Sequence, residues 1–366
     1  MRWRFLWLFV LFFVQPCTVS GQNAPASPTV QSQPAKAPPI PSPGGPDRQI
    51  KLDVQVTDRS DVPIRGLQQQ DFTILDNKQA QNVLSFHAAE TAPAPATDPS
   101  VEIVLVIDGI NTSYQVIASA RRDVKTFLLQ NYGKLAQPVS LIFVSGQGTK
   151  VQNSPSRDGN AVAVLYDRYA TALQSSNLVS SFFAAEDRFN LSIKAVASLA
   201  AYESTRPGRK LMIWISSGWP LFSGGNLDLN PKDWQQLFNS VVALSSGLRQ
   251  ARITLYSVDP LGALNAGGTQ VTFYQQFLKG VTSPSRMQPG YLGLQVLAVQ
   301  SGGRVYNSTN DLTAAIAGCA ADADAFYTLS FDVPPARHAN EYHAFTVTVD
   351  KPGVTVRSRA GYYAQP

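Results

Sequence analysis

Val101-Glu102-Ile103-Val104-Leu105-Val106-Ile107-Asp108-Gly109-Ile110-Asn111-Thr112-Ser113 is the stretch on which the fold of this chain turns. Apart from Glu102 the first seven residues are all apolar, which predicts a strand buried on both faces, as in a parallel sheet covered by helices. Behind it, Val116, Ile117, Ala120, Val124, Phe127 and Leu128 recur at helical spacing. Thr112 or Ser113 can cap the start of that helix. A buried strand, a carboxylate at its end and a helix form the opening unit of a doubly wound α/β domain.

The same rhythm continues downstream. Strands are expected at Val139 to Val144, Leu211 to Ile215, Ile253 to Val258 and Arg304 to Tyr306. Helices are expected near 157 to 174, 190 to 203, 289 to 300 and 310 to 321, the last beginning around Asn310. Asn230 followed by Pro231 opens a further helix, with the stripe Trp234, Leu237, Phe238, Val241, Leu244 and Leu248. The α/β domain therefore runs over 100–322. Cys319 shares an apolar face with Leu312 and Ile316 and reads as a buried thiol.

The flanks carry a different period. Ile50, Leu52, Val54 and Val56 alternate with Lys51, Asp53, Gln55 and Thr57, the pattern of a half-buried strand. Strand-like runs Phe72 to Leu75 and Val83 to Phe86 follow, separated by the turn Asp76-Asn77-Lys78, and the linker Ala92 to Ala96 ends the segment. Near the C-terminus, Phe326 to Phe331, Tyr342 to Val349, Val354 to Arg357 and Tyr362 to Tyr363 are again strands. Together segments 48–92 and 325–364 supply about seven strands, the number an immunoglobulin-like sandwich needs. The expectation is an α/β domain inserted into a discontinuous β-sandwich.

Residues 1–21 have the composition of a secretory signal peptide: Arg2 and Arg4, the apolar run Phe5 to Val14, then small and polar residues before Gln22. The run falls short of the roughly 20 apolar residues of a membrane span, and no later stretch qualifies, so no integral span is expected after signal removal. Residues before Cys17 do not suit lipid attachment. Segment 22–47, rich in Pro, Ala, Ser and Gln, cannot bury enough surface to offset its ordering entropy and reads as a disordered tether. The formal charge of +5 includes Arg2 and Arg4, whose removal leaves +3. No basic, aromatic-interleaved cluster accompanies it, which argues against a nucleic-acid partner. The chain is expected to be exported, whether periplasmic, on the cell surface or secreted.

The order of strand, Asp108, helix, strand, two helices, Trp214-Ile215-Ser216-Ser217-Gly218, helix, Val258-Asp259-Pro260 and Gly302-Gly303-Arg304 resembles a von Willebrand factor type A domain. Val54 to Asp58, Gly66-Leu67, Asp71-Phe72, Leu329 and Gly361-Tyr362-Tyr363 resemble the VWFA-related domain family of acidobacteria, over roughly residues 50 to 364. The resemblance implies an exported protein with a binding role. It also implies a metal-ion-dependent adhesion site, built from Asp-x-Ser-x-Ser, a middle-loop Thr and a later Asp. Here that pattern is degraded. Asp108 matches and Thr112 keeps a hydroxyl, but Ile110 replaces the first Ser, Ser217 stands about where the later Asp should be, and Asn190 is the nearest candidate for the Thr. Asp108, Thr112 and Ser217 are weak metal candidates, and magnesium or calcium, which want several oxygens with carboxylates among them, are poorly served. Otherwise Asp108 is expected to cap the following helix.

Other chemistries fare worse. Trp214 to Gly218, with Ser216 as nucleophile, followed by Asp259 and His338 or His343, has the order of a serine hydrolase, but the elbow needs a small residue where Trp214 stands and a helix directly after the Ser, whereas Pro220 and Phe222 to Gly225 follow. His87, His338 and His343 match no zinc spacing and read as solvated turn residues. Asp108 to Thr112 is no phosphate loop. The expected protein is not an enzyme and takes a protein partner in the envelope or outside the cell. Its binding residues are Asp108, Asn111, Thr112, Ser216, Ser217, the exposed ring of Trp219, and Asp259, at the carboxyl ends of the strands. The alternatives are an envelope scaffold without a ligand there and, remotely, a hydrolase using Ser216.

Overall fold

The computed structural model describes residues 49–90, 101–172, 182–220, 230–262 and 270–366. The expected signal segment 1–21 with Cys17, the tether to residue 47, the linker Ala92 to Ala96 and the loop Phe222 to Gly225 lie outside the described residues.

The first described segment holds β1 (Gln49–Thr57), β2 (Phe72–Asp76), β3 (Gln79–Gln81) and β4 (Ser85–Glu90). Alternation decides β1, where Ile50, Leu52, Val54 and Val56 are each no more than 1% exposed. Asn77 and Lys78 both take left-handed backbone, and this two-residue turn matches the twist of the β2–β3 hairpin. The strand expected at Val83 to Phe86 instead starts at Ser85, because pairing with a later strand, not composition, sets its register.

The middle of the chain holds β5 (Glu102–Asp108), α1 (Tyr114–Leu128), α2 (Gln130–Gly133), β6 (Lys134–Ser145), β7 (Gly148–Val151), β8 (Ser156–Asp158), α3 (Gly159–Ala172) and α4 (Phe182–Ser204). It continues with β9 (Lys210–Ile215), α5 (Pro231–Gln250), β10 (Ile253–Val258), α6 (Gln270–Phe273), α7 (Leu294–Gln300), β11 (Val305–Tyr306) and α8 (Leu312–Ala320). All residues of β5, β9 and β10 are buried. The sheet order is β11-β10-β9-β5-β6-β7, parallel except for β7, which runs antiparallel along the β6 edge, and β8 also pairs with β6. The edge strands β7 and β8 were not foreseen, since neither carries an apolar run.

Ser113 caps α1, and Asn230 caps α5 in a reciprocal box with Asp233, with Pro231 in the first turn. The helix expected from 289 begins only at Leu294, because Gly293 is extended and separates it from the tight turn Pro289–Leu292. Gly303 is required: a Cβ there would meet the Leu255 carbonyl at 1.8 Å. One apolar core on the sheet joins Ile117, Val162 and Ile316 of α1, α3 and α8, with Cys319 fully buried as expected. The other joins Val196, Val241 and Leu297 of α4, α5 and α7.

The chain ends in β12 (Ala325–Asp332), β13 (Glu341–Val349), β14 (Thr355–Arg357) and β15 (Gly361–Ala364). These pair antiparallel with the first strands in two four-stranded sheets, β14-β1-β12-β4 and β15-β13-β2-β3. A third core, including Ile50, Leu52, Ile74, Leu329, Phe331, Val347 and Tyr362, fills the space they enclose. Chain ends far apart in sequence therefore share one apolar interior. Among the described residues, no helix is long and apolar enough to cross a membrane.

Candidate functional site

β5 and β9 are parallel neighbours, so the loops leaving their carboxyl ends share one rim. Asp108 closes β5 and is fully buried. Its Oδ1 accepts the backbone N–H groups of Ile110 at 2.9 Å and Asn111 at 3.0 Å. Its Oδ2 accepts Asn111 Nδ2, Trp214 Nε1 and Ser216 Oγ, each at 2.9 Å. A carboxylate offers about four lone-pair positions, so five donors saturate it. All five are neutral. The cap of α1 is Ser113, and Asp108 instead holds the loop ahead of the helix.

Asn111 carries the network sideways, its Nδ2 donating also to Ser192 Oγ at 2.8 Å, and Ser192 in turn donates to the Arg188 carbonyl of α4. The middle segment thus contributes Ser192. Asn190, the residue expected there, is exposed on the same helix, two positions away and on another face. Thr112 is buried and its Oγ1 accepts the Ser217 N–H at 3.0 Å, tying the two loops together.

These residues do not fit a magnesium or calcium ion. Ile110 is packed in the apolar core, Thr112 is spent on a backbone N–H, and a cation at Oδ2 would have to displace an indole and an amide N–H. Hard cations need a set of oxygens with carboxylates among them, and Asp108 is the one carboxylate in this hydrogen-bonded group. Among the described residues, no group of three or more His, Cys, Asp or Glu side chains is placed to hold a metal.

Trp219 corrects the sequence-based expectation. Its ring is 4% exposed and packs edge-on against Trp214 at 5.6 Å, so it belongs to the core and presents no exposed aromatic surface. Gly218, with φ of +98°, turns the chain inward and makes this possible. Polar atoms without a partner collect in the same neighbourhood: Asn111 Oδ1, Ser217 Oγ, Trp219 Nε1 and Gln295 Oε1 are all buried and unpaired. Gln295 reaches to 3.6 Å from the position a Cβ would take on Gly218. Asn111, Ser217, Gly218 and Gln295 are each half-buried, so the rim is neutral and partly open to solvent, with these unpaired oxygens just beneath its surface. Asp259 stands one strand further out, its Oδ1 accepting the Leu261 N–H at 2.9 Å. Ser192, Trp214 and Gln295 escaped the sequence reading because each sits in a helix or strand pattern that looks like ordinary packing.

Ser216 does not have the surroundings of a nucleophile. It is 1% exposed, gives its proton to Asp108 and accepts the Gly218 N–H at 3.2 Å. The histidines lie elsewhere: His87 in β4, His338 in the exposed bend before β13, and His343 in β13. His343 is a second correction. It is buried, not a solvated turn residue, because β13 alternates and His343 falls on the inward face, where Nδ1 lies 2.8 Å from Asp76 Oδ1. Tyr362 donates to the other Asp76 oxygen at 2.9 Å, and burial followed by the Asp76 charge pushes the phenol well above its usual range.

No family model and no curated protein matches this chain. Solved structures similar to it include the pilus adhesin SpaC from Lactobacillus rhamnosus GG in its open conformation, at 12% identity over 86% of this chain and 48% of that one, with a TM-score of 0.37. The PilB minor pilin from Streptococcus sanguinis, in a mutant form, is similar at 13% identity over 63% of each chain, with a TM-score of 0.35. The human COPII-coat protein Sec24c is similar at 9% identity over 76% of this chain and 46% of that one, with a TM-score of 0.33. The chain spans about half the length of SpaC and Sec24c. At these scores the similarities carry no argument about function.

Proposed function

We propose that this chain is an exported, non-enzymatic protein-binding protein of adhesion or assembly type, related to the VWFA-related family. In this proposal a type A-like domain over 100–322 is inserted into an immunoglobulin-like sandwich made of 48–92 and 325–364. The sheet order and the pairing of the first strands with the last support that organisation. A signal peptide over 1–21 and a tether over 22–47 supply the export route.

The observation that carries the functional reading is the saturation of Asp108 by five neutral donors. A carboxylate so held neither binds a cation nor works as a base; it fixes the loops around it. The rim formed by Asn111, Ser217, Gly218 and Gln295 then meets a protein partner without metal, and a polar, neutral surface of this kind suits a hydrogen-bonded, partly wet interface. The scaffold alternative, with no ligand at the rim, makes the opposite prediction in the same experiment.

A photo-cross-linking residue placed at Ser217 or Gln295, and as a control at Val62, which is 56% exposed in the β1–β2 loop, tests this in envelope extract. Labelling of one partner from both rim positions and not from the control, unchanged by magnesium or chelator, is the expected result. Loss of labelling with chelator would restore a metal-dependent site. Labelling no stronger than the control would leave the scaffold.

A further inference from the structure

We propose that a small inorganic anion binds at the seam between the terminal β-sheets and the α/β domain, in a cavity lined by Lys51, Asp53, Arg249, Arg252, Ser301 and Arg359. The cavity is independent of the rim around Asp108. Lys51 and Asp53 belong to β1, Arg359 to the link between β14 and β15, and Arg249 and Arg252 to the end of α5 and the turn after it. Its volume of about 20 Å³ suits a single group of water size, which needs roughly 10–15 Å³. A chloride ion meets that requirement, as does the leading oxygen of phosphate or sulfate.

Four cationic side chains line this space with one carboxylate, and that carboxylate is already engaged. Asp53 Oδ1 accepts Arg252 Nη2 and Thr328 Oγ1, both at 2.7 Å, while Oδ2 lies 3.9 Å from Arg209 Nε. Arg359 is left in an unusual position. It is 9% exposed, and among the described residues no carboxylate lies within 4 Å of it. Its guanidinium donates only to the carbonyls of Ser245 at 3.4 Å and Ile253 at 3.3 Å, whereas charge-assisted hydrogen bonds run at about 2.7–2.9 Å. Arginine has five N–H donors, so most are still available to the cavity.

The energetic consequence is direct. Burial, then the neighbouring Arg249 charge, depresses Arg359 to about 9, far from the usual arginine range. A guanidinium pays a large desolvation cost unless an opposite charge offsets it. The Ser245 carbonyl of α5 and the Ile253 carbonyl of β10 supply only partial charge. Arg252 Nε is likewise buried without a partner. An anion in the cavity satisfies both arginines and ties β1 and the β14–β15 link to the end of α5.

The test is thermal unfolding of the purified protein in sodium gluconate as the reference salt, a weak competitor because its single carboxylate sits on a long polyhydroxy chain. Chloride, phosphate or sulfate then replaces gluconate at constant ionic strength. Wild type should gain about 2 °C at tenfold excess over Kd, in a saturable manner. A response to chloride alone identifies a halide site, and a response to phosphate and sulfate an oxyanion site. Lys51→Gln, at an exposed position, should shift the half-saturating concentration upward several-fold, and Arg359→Gln at least tenfold. Isothermal titration of wild type and Lys51→Gln reads the same affinities should Arg359→Gln not fold. Absence of saturation by all three anions, or variants that titrate like wild type, would overturn the proposal.

Discussion

The two ends of β5 hold buried carboxylates in opposite ways. At the start of the strand, Glu102 accepts both terminal nitrogens of Arg206, at 3.0 and 2.6 Å, and the Ser140 hydroxyl. Glu203 shares the same arginine, and Lys210 donates to the carbonyls of Glu203, Arg206 and Ala251. At the far end, Asp108 meets only neutral donors. The first is an ion cluster whose strength depends on protonation and salt. The second spreads one carboxylate over fixed dipoles with no partner charge for salt to screen, which is why it can shape a rim.

The largest effect should come from removing the neutral-donor centre. Asp108→Ala leaves the indole N–H of Trp214 and the Ser216 hydroxyl buried without their acceptor and takes one of two acceptors from the Asn111 amide, and should cost about 3–5 kcal/mol in urea unfolding. A cost under about 1 kcal/mol, the size of one ordinary hydrogen bond, would break the comparison. Trp219→Ala should cost about 3 kcal/mol, since it empties a core position, so neither substitution is a clean probe of binding.

At the other end of β5, Arg206→Ala strips Glu102 and Glu203, whose side chains are 9% and 0% exposed, of their shared partner, and should cost about 2–3 kcal/mol, less than Asp108→Ala because the arginine itself is 23% exposed and Lys210 stays beside Glu203. That loss should shrink with added salt, while the Asp108→Ala loss should not. Equal salt dependence of the two variants would show that the ends are not electrostatically distinct.

Smaller still is the pH effect. Burial, then the Glu102 charge, raises Glu203 above 4.5 despite Arg206 and Lys210. A raised folded pKa means stability fully present below 4.5 and lost as pH rises through the folded value. Glu203→Gln should remove that decline in a series of melting temperatures. Asp53 has the opposite sign: burial raises its pKa, but Arg252 and Arg209 more than compensate, so its contribution is present above 3.8 and lost on further acidification. Asp53→Asn should therefore flatten the acid limb. Smallest of all, magnesium or a chelator should leave the melting temperature of wild type unmoved.

The place of the candidate rim in the fold was legible because it follows strands with strong patterns. Val101 to Ile107 announces a strand buried on both faces, so Asp108 at its end had to lie at a sheet rim, and Ser216 and Ser217 after the apolar Leu211 to Ile215 likewise. Trp219 misled because an aromatic beside Gly218 and Pro220 looks like a loop residue; the left-handed Gly218 that returns it to the core leaves no mark in hydrophobic periodicity. His343 misled because nearby prolines suggested a turn, whereas its place in the alternation of β13 put it inside.

The sequence by itself determined the elements whose apolar residues repeat at period 2 or 3.6, a helix start at Thr112 or Ser113, and another at Asn230. These are local properties, set by neighbouring residues along the chain. Only the tertiary structure decided which donors surround Asp108, that Ser192 and not Asn190 joins them, and that Lys51 and Asp53 meet Arg249, Arg252 and Arg359 around one cavity. Those groups come from segments separated by about eighty to three hundred residues, and hydrogen bonds and charge pairs between them follow no period that a single chain can display.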